Sequence, residues 1–113
     1  MVLIFTRRKP GMSTEQFRAY YENHHRKLGE KIAPEVGMSH YRRRYLTPIS
    51  GSEFEFDVVT EVGLKDEESF DRVVNAFAKG ELAPEVEKDE QQFMDRSKTR
   101  FLTFIEYESK LET

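Results

Sequence analysis

The chain has no cysteine and no tryptophan. Without thiols it has no disulfide, no thiolate nucleophile and no Cys-based metal site. No apolar run approaches the roughly 18 residues that a membrane span needs. The opening MVLIF is too short for the apolar core of a signal peptide, and Arg7, Arg8 and Lys9 follow at once. The sequence therefore predicts a soluble, cytoplasmic protein. It also lacks a basic excess: 18 Lys and Arg against 21 Asp and Glu give a net charge of −3, no general footprint for nucleic acid. Glycine is sparse, and Gly11, Gly51 and Gly80 stand alone. A glycine-rich phosphate cradle is missing, so a nucleotide cofactor is not expected. No low-complexity stretch or linker divides the chain.

What is present is 113 residues, 37% apolar and 35% charged. That suits one domain over residues 1–113, a modest core under a charged surface. A core of this size gains from burying more apolar surface in an oligomer.

The chain is organised around Ser13 to Ile32, which reads as one amphipathic helix ending before Pro34. Ser13 and Gln16 have capping-box spacing. Phe17, Tyr20, Tyr21, His24, Leu28 and Ile32 share one broad stripe at the helical period. Ahead of it, Val2 to Lys9 reads as a strand closed by Pro10-Gly11. Gly37 to Leu46 reads as a second strand, with Met38, His40, Arg42 and Arg44 on one face and Ser39, Tyr41, Arg43 and Tyr45 on the other. Thr47 to Ser52 is a turn and Glu53 to Leu64 a third strand, with Val58, Thr60 and Val62 alternating with Val59 and Glu61. Asp66 caps a second long helix that Gly80 ends. A shorter helix falls within Glu81 to Met94, with Pro84 in its first turn. Ser97 to Glu108 is a last strand, apolar on both faces, and Ser109 to Thr113 a loose tail.

The order β-α-β-β-α-β predicts an α+β, ferredoxin-like fold with a four-stranded antiparallel sheet. A faint echo supports two halves: Ala33-Pro34-Glu35-Val36 recurs as Ala83-Pro84-Glu85-Val86. Two helices cover one sheet face and the other needs a partner. Together with the two apolar faces of the last strand, this predicts a homodimer whose sheets form an α/β barrel.

With no thiol, chemistry rests on His, Tyr, Arg and carboxylates. The histidines are His24, His25 and His40, and imidazole works as acid and base near neutral pH. On a regular wheel His24 lies near the centre of the apolar stripe and His25 at its edge. The plain structural reading makes His24 a hydrogen-bonded core residue and His25 a boundary residue. Metal binding is not expected: adjacent histidines on a helix diverge by about 100°, and no metal-ligand motif is present. His40, Tyr41, Arg42, Arg43, Arg44 and Tyr45 form a second cluster. One of its faces suits a carboxylate or phenolate held by paired arginine hydrogen bonds, and the plainer reading is an edge strand protected by charge. Nucleic-acid binding through Arg42 to Arg44 is opposed by nearby carboxylates. Asp89, Glu90, Asp95 and Arg96 read as a solvated helix end, or Asp95 orients a histidine across the sheet.

RRKPGMSTEQFRAYYENHHRKL resembles the opening of EthD-domain proteins of the dimeric α/β-barrel superfamily, and in particular its fungal specialised-metabolism subgroup. The motif falls on Phe17, Tyr20, Tyr21, His25 and Leu28. Phe56 to Phe70 and Asp89 to Arg100 match later stretches, the last resembling the family's Asp-Glu-x-x-Phe-x-Asp segment. The resemblance implies a homodimeric barrel without a cofactor, related to decarboxylases of aromatic acids and to polyketide cyclases. It selects His25, where the wheel favours His24.

The expected activity is that of a cofactor-independent lyase on an aromatic, polyketide-type small molecule. The first reaction is decarboxylation, with His25 as general acid, Arg42 or a neighbour such as Tyr41 holding the acid, and Tyr21 or His40 positioning a phenol. The alternatives are a cyclase or isomerase using the same imidazole as base, or a non-catalytic carrier of a hydrophobic ligand.

Overall fold

In the computed structural model, which describes residues 1–51 and 53–112, four strands form one antiparallel sheet of order β2-β3-β1-β4. The strands are β1 (Val2–Thr6), β2 (Met38–Tyr45), β3 (Val58–Leu64) and β4 (Arg100–Leu102). Helices α1 (Thr14–Tyr20), α2 (Arg26–Val36), α3 (Glu67–Lys79) and α4 (Pro84–Glu90) complete the α+β, ferredoxin-like arrangement. None of them is long and apolar enough to cross a membrane.

Between α1 and α2 the chain does not break. Tyr21–His25 forms a π-helical turn, in which the Arg26 N–H reaches back five residues to the Tyr21 carbonyl. Ser13 and Gln16 close the expected capping box by exchanging hydrogen bonds of 3.1 and 2.9 Å. The expected end before Pro34 is corrected: α2 carries Pro34 inside and runs to Val36. A proline this near a helix end removes one backbone donor without stopping the last turn. The stop is Gly37, left-handed at φ 78°, whose N–H bonds the Ala33 carbonyl. A side chain there would also strike Ser69. Asp66 caps α3 through the Ser69 N–H, and Gly80 ends it at φ 68°.

The alternation expected for β3 holds from Val58 onward: Val58, Thr60 and Val62 are buried under the helices. Upstream of it the strand expectation is corrected, because residues 53–57 are irregular. Asp57 ends the ladder instead. Its N–H bonds the Thr6 carbonyl, and its carboxylate accepts from the Arg8 backbone and guanidinium at 2.8 and 2.6 Å. Ser52, the last residue of the expected turn, lies outside the described residues, as does Thr113 of the tail.

The last strand is also corrected. It spans only Arg100–Leu102, all three exposed, and the residues after it are irregular and exposed as far as Glu112. The register sets Leu102 opposite Leu3, one residue from the start of β1, so the residues past 103 run beyond that strand. Neither face of 103–108 is buried within the chain. The core gathers instead on Phe17, Tyr21, Val58, Phe93 and Met94, under the turn that follows α4.

Candidate functional site

Between the helices and the covered face of the sheet lies a cavity of about 190 Å³. Ile4, Ile32, Val62, Val73, Phe77 and Met94 are among its apolar walls, and Thr6, Tyr21, His25, Tyr41, Thr60 and Glu90 bring polar groups to it. Neither lysine nor arginine is among its lining residues.

The π turn decides which imidazole reaches this cavity. Its i→i+5 bonding is wider than the 3.6-residue α turn. Phe17, Tyr21 and His25, each four apart, therefore stay on one inward line where a regular helix would drift. His25 is buried, 8% exposed. Its ring meets Tyr21 edge-on at 5.2 Å and Phe93 at 5.0 Å. His24, which the regular wheel would bury, is exposed and packs on Tyr20 at 4.7 Å, beside an open groove on the outer side of the helices.

His25 Nδ1 lies 2.9 Å from an oxygen of Asp89, at the end of α4. The other oxygen of Asp89 accepts from the Tyr20 hydroxyl at 2.6 Å. A carboxylate accepts only, so this contact puts the ring proton on Nδ1 and the lone pair on Nε2. Burial pushes the His25 pKa below its ordinary 6.5, and Asp89 pulls the other way without overcoming it. The imidazole is thus neutral at neutral pH, with a lone pair on Nε2. Burial and the Asp89 contact push the Tyr20 phenol up to about 12.

Beside the imidazole, Tyr41 donates to the Tyr21 hydroxyl at 3.0 Å, and Tyr21 shares a 2.8 Å hydrogen bond with Thr60. Burial raises both phenols, so they stay neutral. Thr6 also lines this region, and its Oγ1 is fully buried without a hydrogen-bond partner among the described residues. Glu90 lines the cavity with its carboxyl pushed up to about 7 by burial.

Tyr21, His25 and Tyr41 are thus brought together. Arg42 and His40 are not, which corrects the expectation that Arg42 stands beside His25 to hold an acid. Both lie on the opposite face of the sheet, because alternation along β2 turns Tyr41 inward and its neighbours outward. There His40, Arg42 and Arg44 converge on Glu61 at 3.0, 3.3 and 3.4 Å. Burial pushes the Glu61 carboxyl up, but His40 and Arg44 outweigh it and hold it below its ordinary value. Arg43 faces the helices and grips Glu22 with two bonds of 3.0 and 2.7 Å, while Tyr45 donates to the same carboxylate at 2.6 Å. All three arginines of the run are tied to carboxylates.

Asp95 does not orient a histidine, a further correction. Its carboxylate bonds the backbone and hydroxyl of Ser97, capping the short turn Arg96–Lys98. The carboxylate on His25 is Asp89, six residues earlier in the same cluster. Its place at the end of α4, after Pro84 starts that helix, is the one local signal that could have separated it from Asp95.

The fold is shared with the crystal structure of At3g17210 from Arabidopsis thaliana, at a TM-score of 0.60 and 11% sequence identity over 97% of each chain. A search of curated proteins finds no match. The sequence itself matches the model of the EthD domain over residues 9–97, a stretch that holds the π turn, His25, the Tyr21–Tyr41 pair and Asp89. The chain belongs to the EthD domain family.

Proposed function

We propose that this chain is a cofactor-independent acid–base enzyme acting on a small aromatic substrate of polyketide type, with His25 as the proton-transferring group. The observation that carries the reading is the His25–Asp89 pair opening on a largely apolar cavity. The geometry favours His25 as base. Nδ1 is engaged by Asp89, Nε2 is left with its lone pair, and burial keeps the ring neutral. Nε2 takes a proton from an acidic carbon next to a carbonyl, and the C–H electrons move into the enolate. Asp89 steadies the imidazolium that forms. Cyclisation follows when the enolate carbon attacks a second carbonyl and the imidazolium gives its proton to the alkoxide formed, and isomerisation when the proton returns to a different carbon.

Decarboxylation is the second reading, favoured by the apolar lining, which disfavours a bound carboxylate relative to the uncharged carbon dioxide it releases. It asks His25 to arrive protonated, against the direction of its pKa, and no cation lines the cavity to hold the acid.

The direct test follows the loss of acidic C–H protons from 1-phenylbutane-1,3-dione in D₂O by NMR. The wild-type chain accelerates the exchange. His25→Asn, still folded, loses about 10² to 10⁴ of that acceleration. Binding of the diketone with no acceleration supports the carrier reading, and an unimpaired His25→Asn refutes the assignment.

The same reading includes a second copy of the chain. The uncovered sheet face carries Leu3, Phe5 and Val59, and the exposed Leu102, Ile105 and Tyr107 extend the apolar surface into the final segment. Sedimentation should give a dimer, and Phe5→Glu a monomer.

A further inference from the structure

The cavity floor crosses all four strands, from Tyr41 on β2 to Phe101 on β4, the two edges of the sheet. At the β2 edge the Tyr41 ring packs against Gly29 of α2. At the β4 edge Phe101 stacks on Phe77 of α3, with ring centroids 4.3 Å apart and planes 24° from parallel. Behind that pair lies a second hollow of about 90 Å³. Phe77, Leu82, Glu90 and Phe101 line both spaces, so these four side chains form the wall between them. His25 lines the main cavity and not the hollow. Only a ring seated in front of the stack meets the imidazole.

We propose that the Phe77–Phe101 stack sets the length of ligand this site accepts, so that the substrate carries one aromatic ring and not fused rings. This deepens the acid–base reading and rests on the cavity being the ligand site. An apolar cavity of about 150 Å³ holds benzene, so the main cavity, at about 190 Å³, takes one substituted ring. A second fused ring must pass the stack into the hollow. Parting Phe77 from Phe101 forfeits their contact and turns apolar ring faces toward water, whereas a single ring leaves the pair in place. Phe101 is the ring that can yield: it is 38% exposed and stands on an edge strand of three residues. Apolar burial by itself gives the opposite order of affinities, because a two-ring ligand removes more area from water and binds more tightly where no wall stops it. The order of affinities therefore reports the wall.

The test titrates the whole chain at neutral pH with phenol and with 2-naphthol, which share one hydroxyl and differ by a fused ring. Affinity and the His25 ring signals are followed by NMR. The expected result is that the wild type binds 2-naphthol about tenfold more weakly than phenol. Phe101→Ala joins the hollow to the cavity and should reverse that order, with 2-naphthol becoming the tighter ligand. Phe77→Ala removes the other ring and should do the same, and circular dichroism checks that each variant is folded. If 2-naphthol binds the wild type as tightly as phenol or more tightly, or if a folded variant keeps the wild-type ratio, the one-ring assignment is overturned while the His25 reading stands. If neither ligand moves the His25 signals, the cavity is not the ligand site, and both readings fall.

Discussion

Asp89 and Glu90 are neighbours in the chain with different surroundings: Asp89 holds the Tyr20 hydroxyl and the His25 ring, whereas Glu90 lines the cavity with no hydrogen bond to its carboxyl among the described residues. One step along the last turn of α4 separates an orienting carboxylate from one that burial keeps close to protonation.

Stability should report that difference. Burial raises Glu90 from 4.5 to about 7, so between these values the folded chain holds a proton that the unfolded chain has released. Its contribution is full below about pH 4.5 and is lost as pH rises toward about 7. Glu90→Gln removes this loss. Urea unfolding should show the variant gaining on the wild type across that window, with the gap level above it. His25 acts in the opposite sense: its lowered pKa makes its contribution fall away as pH drops below 6.5.

Asp89→Asn should lower the His25 pKa further, because both influences that raise it come from Asp89. An imidazole titration by NMR reads this directly, and an unchanged or higher value would show that Asp89 does not act on the ring. The loss of two charge-assisted hydrogen bonds should cost about 1–3 kcal/mol of stability.

Glu22 ties the π turn to β2 through Arg43 and Tyr45. Glu22→Ala leaves a mostly buried guanidinium and a phenol without their acceptor. A loss of about 1–3 kcal/mol is expected in chemical denaturation. Double-mutant cycles with Arg43 should return a coupling energy, since the two side chains are in contact.

Gly29 packs against the ring of Tyr41, and a Cβ there would meet it at 2.9 Å. Gly29→Ala should push Tyr41 away from the Tyr21 hydroxyl and narrow the cavity. The expected cost is about 1–3 kcal/mol, with weaker aromatic-ligand binding in titration.

Much of this architecture is legible along the chain, and the reasons are local. Ser13, Asp66 and Gly80 act within a few residues of themselves, so the helix ends they set read well, whereas Pro34 masks Gly37 as the stop of α2. The alternation of β2 and β3 follows from burial of one sheet face. What escaped has longer reach. The partner of His25 lies 64 residues away, and the one local hint that Asp89 and not Asp95 arrives is its place at the end of α4. Arg42 has the right chemistry for an acid, but its strand turns it away. The length of β4 depends on how far β1 runs beside it, which composition does not record. The π turn is invisible to a wheel drawn at constant angle, and for that reason the wheel selects His24.

The π turn also has a consequence for comparing related chains. It works as a vernier between two rulers, the helix before it and the helix after it. A relative that gains or loses one residue between Tyr21 and His25 would keep both helices and their caps, yet present a different side chain to the cavity. Alignments through this segment should therefore be anchored on Phe17 and on Gly37, and the inward imidazole identified by its carboxylate partner and not by its count from either end.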